Sequence, residues 1–331
     1  MADDYGTRVA AQIAQFKDGV LDQMPAAFRY WSWNYISPRL EKAFGTNNIA
    51  EIFARLLTNY GTLALDTPIF ASLGAGDLAQ EVAVAKRLQE MGFNSFRIDC
   101  FELSEGLLSK GRALVESSGL TTNFRFIQRD LNESQLEEPY DGIMAHHSLH
   151  HIVNLEAVFD SVRANLRPGG TFAVYDIIGR NGHMRWPEVL KVVENLWSML
   201  DISKKKNHQL NQVWENYVNF DCSGSGFEGI RAQDILPLLL SRFHFSHLVA
   251  FGGLTEVFVD RGFGHNYDPK RETDKGFIDF LEFMNCLLID CGHIKPTIMF
   301  AGLCLDPPGD FKSDKEYSPR FCLRPPDLAA E

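Results

Sequence analysis

Basic residues are in short supply: the 331-residue chain carries 32 Lys and Arg against 43 Asp and Glu, a formal charge of −11. That balance excludes bulk attraction to nucleic acid or anionic lipid as the source of any binding. Long apolar runs are missing too. Uncharged stretches such as 243–255 fall short of the ~18 apolar residues that a spanning helix needs. The opening MADDYGTRV has no basic-then-apolar signal pattern, so a cytoplasmic protein without membrane contact is expected. Six cysteines (Cys100, Cys222, Cys286, Cys291, Cys304 and Cys322) are too few for a disulfide framework in a chain this long, and reduced core thiols are expected. Repeats and low-complexity segments are absent. What is present is ordinary globular material, 45% hydrophobic and 23% charged, in a chain long enough to bury about three quarters of its unfolded surface.

Between 63 and 181 short apolar runs alternate with helical stretches, the pattern of a parallel sheet with crossover helices. The spacing predicts strands at the start of TPIFASLGAG, then at 96–101, 124–128, 142–147 and 171–178. Helical periodicity (Leu78, Val82, Ala85, Leu88) with Gly92 as a stop marks the first crossover. Residues 1–62 read as a helical cap with an aromatic cluster, and 182–241 as a helical lid interrupted by CSGSGFEG. Residues 242–306 read as two further strands around a helix, and 307–331 as a tail that wraps the surface or frays. The expected fold is α/β: a doubly wound, mostly parallel, seven-stranded Rossmann-like sheet with helical cap and lid insertions.

Gly74 and Gly76 follow a strand and precede a helix, where they let backbone N–H groups approach a ligand at the helix start. Glu102 ends the second strand, placed to accept two ribose hydroxyls, and Ser104 behind it reads as a helix N-cap. Asp130 ends the third strand at the same edge, where it can take an adenine amino hydrogen while the Leu131 N–H serves a ring nitrogen. SLGAGD, FELSEGLL, QRDLNE, YDGIMAHHSLHH and LRPGGTFAVYD together resemble the successive motifs of class I S-adenosylmethionine-dependent methyltransferases. The resemblance implies S-adenosyl-L-methionine as cofactor, held by Ser72, Gly74, Ala75, Gly76, Asp77, Glu102, Leu103, Asp130, Leu131 and His146. Two departures stand out: Ser72 where the family usually has an acid, and Leu78 where it has a third glycine. Asp77 is the expected substitute for the missing acid.

His146, His147, His150 and His151 form the densest titratable cluster, at the mouth of the fourth strand. For a hydroxyl acceptor, His147 or His150 is the expected base and Asp176 its orienting partner. No metal is expected, either there or at Cys286, Cys291 and His293, whose single C-x4-C-x-H lacks a second half. Tyr30 and Trp31 in the cap, with Arg180 and Asn181 after the fifth strand, are the expected acceptor-side residues. The expected function is methyl transfer to a small molecule, at oxygen, with no nucleic-acid partner. A nicotinamide-dependent oxidoreductase, which GAGDLA also fits, and a non-catalytic relic of the methyltransferase fold remain as alternatives.

Overall fold

The computed structural model describes residues 2–15, 24–58, 67–224 and 226–324. The expected strand alternation forms the first half of one sheet. Strands β1 (Ile69–Leu73), β2 (Arg97–Glu102), β3 (Phe124–Gln128), β4 (Tyr140–His146) and β5 (Leu166–Ile177) run parallel, in the order 5-4-1-2-3. They are near-continuous apolar runs because both faces are covered. In β4, for example, Ile143, Met144 and Ala145 are all fully buried. Beyond β5 lie β7 (Ile298–Cys304), antiparallel to it, and then β6 (His244–Phe251). Residues Lys312–Ser313 add a short eighth strand beside β6, one more than the seven expected, so the described part of the tail joins the sheet. Asp314, which follows it, is buried and bonded to the Arg39 guanidinium.

The helices are α1 (Ala2–Gln15), α2 (Ala26–Trp31), α3 (Ser37–Phe44), α4 (Ile49–Leu57), α5 (Ala79–Glu90), α6 (Glu105–Ser117), α7 (Leu155–Asn165), α8 (Pro187–Met199), α9 (Ala232–Leu240), α10 (Glu256–Val259) and α11 (Glu272–Asp290). A π-helical turn over Ser32–Ile36 joins α2 to α3. Two of these helices depart from the sequence reading. Helix α4, within the stretch expected as a cap, lies directly on the sheet: a Cβ on Gly142 of β4 would stand 2.8 Å from Leu57 Cδ2 and 3.1 Å from the Leu57 carbonyl. Helix α9, within the expected lid, buries Ile235, Leu236 and Leu239 in the same core. Both are strongly apolar amphipathic helices, and such a face is satisfied best against the sheet. Residues 16–23, 59–62 and 325–331 of the expected cap and tail lie outside the described residues, as does the beginning of the expected core at 63–66.

The five parallel strands all end at one edge, and the loops that carry the predicted site residues converge there. The expected strand at 142–147 stops at His146. His147 turns out of it in a left-handed conformation (φ 50°), its N–H donating to the Tyr175 carbonyl of β5.

Candidate active site

Chain reversal between β1 and α5 depends on Gly74 and Gly76, at φ 69° and 58°. A Cβ on Gly74 would lie 2.6 Å from Ser148 Cβ, so the loop packs tightly on the turn after β4. The Gly74 and Ala75 N–H groups donate to the Phe101 carbonyl at 2.9 and 3.0 Å, and the Gly76 N–H donates to Glu102 Oε2 at 2.9 Å. Leu78 is also left-handed (φ 63°), at a cost of about 1–2 kcal/mol for a residue with a Cβ. Burial offsets it. The Leu78 side chain is fully buried against α6 at Gly111, where an added Cβ would meet Leu78 Cδ1 at 2.5 Å. Leucine thus stands in the third-glycine position because a glycine on the neighbouring helix makes room for it.

Four acids line this loop and the strand ends beside it. Glu102 Oε1 accepts from the Ser104 N–H at 2.9 Å, and Ser104 caps α6. Burial raises the Glu102 carboxyl against the pull of these backbone donors. Asp130 accepts from the Asn132 N–H at 2.8 Å and from the Tyr5 hydroxyl at 2.6 Å, with Leu131 half-buried next to it. Leu103 is likewise half-buried beside Glu102. Asp77 accepts from the Ala79 N–H at 3.2 Å and so starts α5. The fourth acid was not singled out from the sequence: Glu81 is 2% exposed and accepts a 2.7 Å hydrogen bond from the Ser72 hydroxyl. Its signal was its position, three residues after Leu78 on the inward stripe of α5, where an acid is out of place.

Past β4 the histidines separate into distinct roles. Asp176 is fully buried at the end of β5, with Oδ2 accepting from the Ser148 and Leu149 N–H groups at 2.9 and 2.8 Å. Its Oδ1 meets His150 Nδ1 at 2.5 Å. One carboxylate therefore shapes the turn and orients the imidazole. On its other side His150 Nε2 lies 3.5 Å from Glu228, which also pairs with His183 Nε2 at 2.6 Å. Burial alone would depress His150, but the charge and hydrogen bond of Asp176, followed by those of Glu228, push it up to about 10. Burial likewise opposes ionisation of Asp176, yet His150 holds it down at about 2. The other members go the opposite way. Burial lowers His146 to about 4, and burial with the neighbouring histidine charges lowers His147 and His151 to about 3.

Two sets of ligand-type atoms converge here, His147–His150–Asp176 and His150–His183–Glu228. Separations of 2.5 and 2.6 Å are those of shared protons. Ligand atoms about 2.0–2.2 Å from a common ion would stand farther apart. Sequence reasoning had not singled out His183 or Glu228. They come from the loops after β5 and before α9, and only folding brings them to His150.

Helix α1 reaches across this edge. Beyond the Tyr5–Asp130 bond, Gln12 Nε2 meets His151 Nδ1 at 3.1 Å and Gln12 Oε1 accepts from the Phe227 N–H at 3.0 Å. Tyr30 and Trp31 do not join it. The Tyr30 hydroxyl donates to Asp279 at 2.7 Å, while Trp31 is 1% exposed with its indole N–H donating to Glu282 at 2.7 Å, both on α11. Trp31 is a wall behind the cleft, two rings removed from His147 through Phe251 and Tyr175. A large aromatic ring is satisfied better in the core than at a wet mouth. Asn181 bonds the backbone N–H of Gln233 and so ties the β5 loop to α9, and the Arg180 guanidinium stands 5.8 Å from the Trp186 ring centre.

Several known proteins are similar to this chain. The family described as "Methyltransferase domain" matches residues 73–235. Among curated relatives, the polyketide synthase-nonribosomal peptide synthetase pyiS of Pyricularia grisea is 28% identical over 148 residues, covering 42% of this chain and 4% of that one. Sterol 24-C-methyltransferase ERG6 of Saccharomyces cerevisiae is 27% identical over 117 residues, covering 35% and 27%. The chain thus spans well under two thirds of the length of these relatives. Similar solved structures include geranyl diphosphate methyltransferase in complex with SAM (13% identity, TM-score 0.44, covering 78% of this chain and 84% of that one). Another is the O-methyltransferase from the trans-AT PKS multienzyme of Brevibacillus brevis in complex with S-adenosyl-L-homocysteine (13%, TM-score 0.41, 76% and 70%). Through residues 73–235, just under half of its length, the chain is thus similar to S-adenosylmethionine-dependent methyltransferases.

Proposed function

We propose that this protein methylates a hydroxyl group of a small-molecule acceptor, with His150 as the base. The observation that carries the reading is the His150–Asp176 pair, 2.5 Å apart, at the mouth of β4 beside the glycine loop. When bound, S-adenosylmethionine supplies an electrophilic methyl group on a sulfonium. Gly74, Ala75 and Gly76 would lie along its amino-acid portion, Glu102 and Leu103 at the ribose, and Asp130 with Leu131 at the adenine. His146 would stand beside it. The loop acids favour a cationic ligand over the diphosphate of a nicotinamide cofactor.

The chain's own work is alignment, exclusion of water and proton transfer. Asp176 holds Nδ1 of His150, and Nε2, which faces Glu228, receives the hydroxyl proton in the fraction of the protein whose imidazole is neutral. His147, neutral and packed on Tyr175, walls the site. Helix α1 and residues 226–229 shield the edge from solvent. All six cysteines are free, which supports a reducing, cytoplasmic setting; among the described residues no helix is long and apolar enough to cross a membrane.

Calorimetry with S-adenosylhomocysteine and with NAD comes first, and tight binding of the former alone is expected. Incubation with S-adenosylmethionine and pooled hydroxylated metabolites should then yield S-adenosylhomocysteine and a methyl ether, identified by mass and by the NMR shift of the new methyl. Methylation at carbon or nitrogen would overturn the oxygen assignment. Failure to bind S-adenosylhomocysteine would overturn the whole reading.

A further inference from the structure

Beside the glycine loop sits a carboxylate without a counter-ion. Glu81 is 2% exposed, one oxygen held by the Ser72 hydroxyl at 2.7 Å and the other, Oε2, without a hydrogen-bond partner among the described residues. A buried acceptor left unmet is costly, and an unpaired buried carboxylate more so. The charges that act on it, those of Asp77 in the loop and Glu102 at the end of β2, are both negative. Cys100, on the strand between, is a fully buried thiol and brings no cation. Burial first, and these two carboxylates after it, raise Glu81 to about 7 against the Ser72 hydrogen bond. The loop's N–H groups at Gly74, Ala75 and Gly76 are already committed to Phe101 and Glu102. What remains unmet at the end of β1 is therefore a hydrogen-bond acceptor that calls for a positively charged donor.

We infer that Glu81, steadied by Ser72, is the residue that binds the α-ammonium group of the cofactor's methionine portion, so that the ammonium-binding acid is supplied by helix α5 rather than by strand β1 or by Asp77. This rests on the cofactor reading and deepens it. Ser72 is short enough to let a longer acid reach in from the helix, and its hydroxyl fixes which Glu81 oxygen stays free. Asp77, by contrast, is occupied with the Ala79 N–H at the start of α5.

The test compares two ligands that differ at this group: S-adenosylhomocysteine, which has the amino-acid portion, and 5′-methylthioadenosine, which keeps the nucleoside and the sulfur but lacks it. In calorimetry Glu81→Gln should weaken S-adenosylhomocysteine by about tenfold or more, the scale of a lost charge-assisted hydrogen bond, and leave methylthioadenosine within about twofold. Ser72→Asp in the Glu81→Gln background returns a carboxylate to the same place and should restore most of the loss. The wild-type protein offers a reading that needs no variant: between pH 8 and 6 its affinity for S-adenosylhomocysteine should fall as Glu81 takes up a proton, while that for methylthioadenosine stays level. An equal loss for both ligands would mean a structural role only and would overturn the inference, as would an unchanged affinity for S-adenosylhomocysteine. If the wild type binds methylthioadenosine and S-adenosylhomocysteine equally well, the cofactor reading survives and this assignment fails. If it binds neither, the cofactor reading itself is lost.

Discussion

The two halves of the cleft are built by different means. On the proposed cofactor side the groups other than Glu81 lie within a few residues of a strand end: Gly74 and Gly76 after β1, Glu102 at the end of β2, Asp130 after β3. Its hydrogen bonds are mostly to nearby backbone, such as Glu102 to Ser104 and Asp130 to Asn132. The proposed acceptor side gathers His150 and His151, Asp176, His183, Glu228 and Gln12 from five segments, joined side chain to side chain. A site made of strand ends is set by the sheet. One made of long-range contacts exists only when every contributing loop is in place, and its charges depend on one another.

The strongest way to break the contrast is at His150. Replacement by Ala should lower turnover by about 10²- to 10⁴-fold with S-adenosylhomocysteine affinity near wild type. Steady-state kinetics beside calorimetry would check this, and a parallel loss in both would show the halves to be one coupled unit. On the cofactor side Glu102→Ala should weaken S-adenosylhomocysteine by about 1–3 kcal/mol; an unchanged affinity in calorimetry would take Glu102 out of the site. Packing under the loop gives an effect on stability alone. Gly111→Ala drives a methyl into Leu78 and should destabilise by about 1–3 kcal/mol in denaturant melts, and the same variant with Leu78→Ala should recover part of it.

The coupled charges give a pH test. On the proposed mechanism the neutral imidazole of His150 is the base, and with the folded site holding it at about 10, turnover should rise with pH through neutrality and continue upward. Glu228→Gln removes one of the two carboxylates that raise this histidine, so its rise should move to lower pH; a profile identical to wild type would detach Glu228 from the base. The smallest expected effect is at the cap. Tyr5→Phe deletes one hydrogen bond to Asp130 and should cost about 1–2 kcal/mol of α1 docking, read as faster hydrogen exchange in α1 with the rest of the protein unchanged.

The sequence could be read furthest where chemistry and chain order coincide. The glycine loop, the acids at 102 and 130 and the histidine-rich end of β4 were legible because each is tied to an apolar run whose period announces a strand. Glu81 was less so, since an acid within a helix is usually a solvated one, and only its place on the inward stripe spoke against that. Cap and lid boundaries at 62 and 182 followed the loss of strand pattern, but periodicity says which face of α4 or α9 is apolar and not what covers it. The aromatic cluster misled for a related reason: Trp31 has the composition of a ligand wall, and its indole N–H is satisfied by Glu282, some 250 residues away.

By itself, then, the sequence determined the parallel core and the order of the loops at its strand ends, because local periodicity and turn chemistry act over a few residues and survive without the rest of the chain. Tertiary structure alone decided which histidine is held by Asp176, that Glu228 and His183 complete its surroundings, and that Leu78 fits where a glycine was expected. Those outcomes depend on distances between segments far apart in the chain and on burial, which gives each ionisable group its charge; neither quantity is written at any single position.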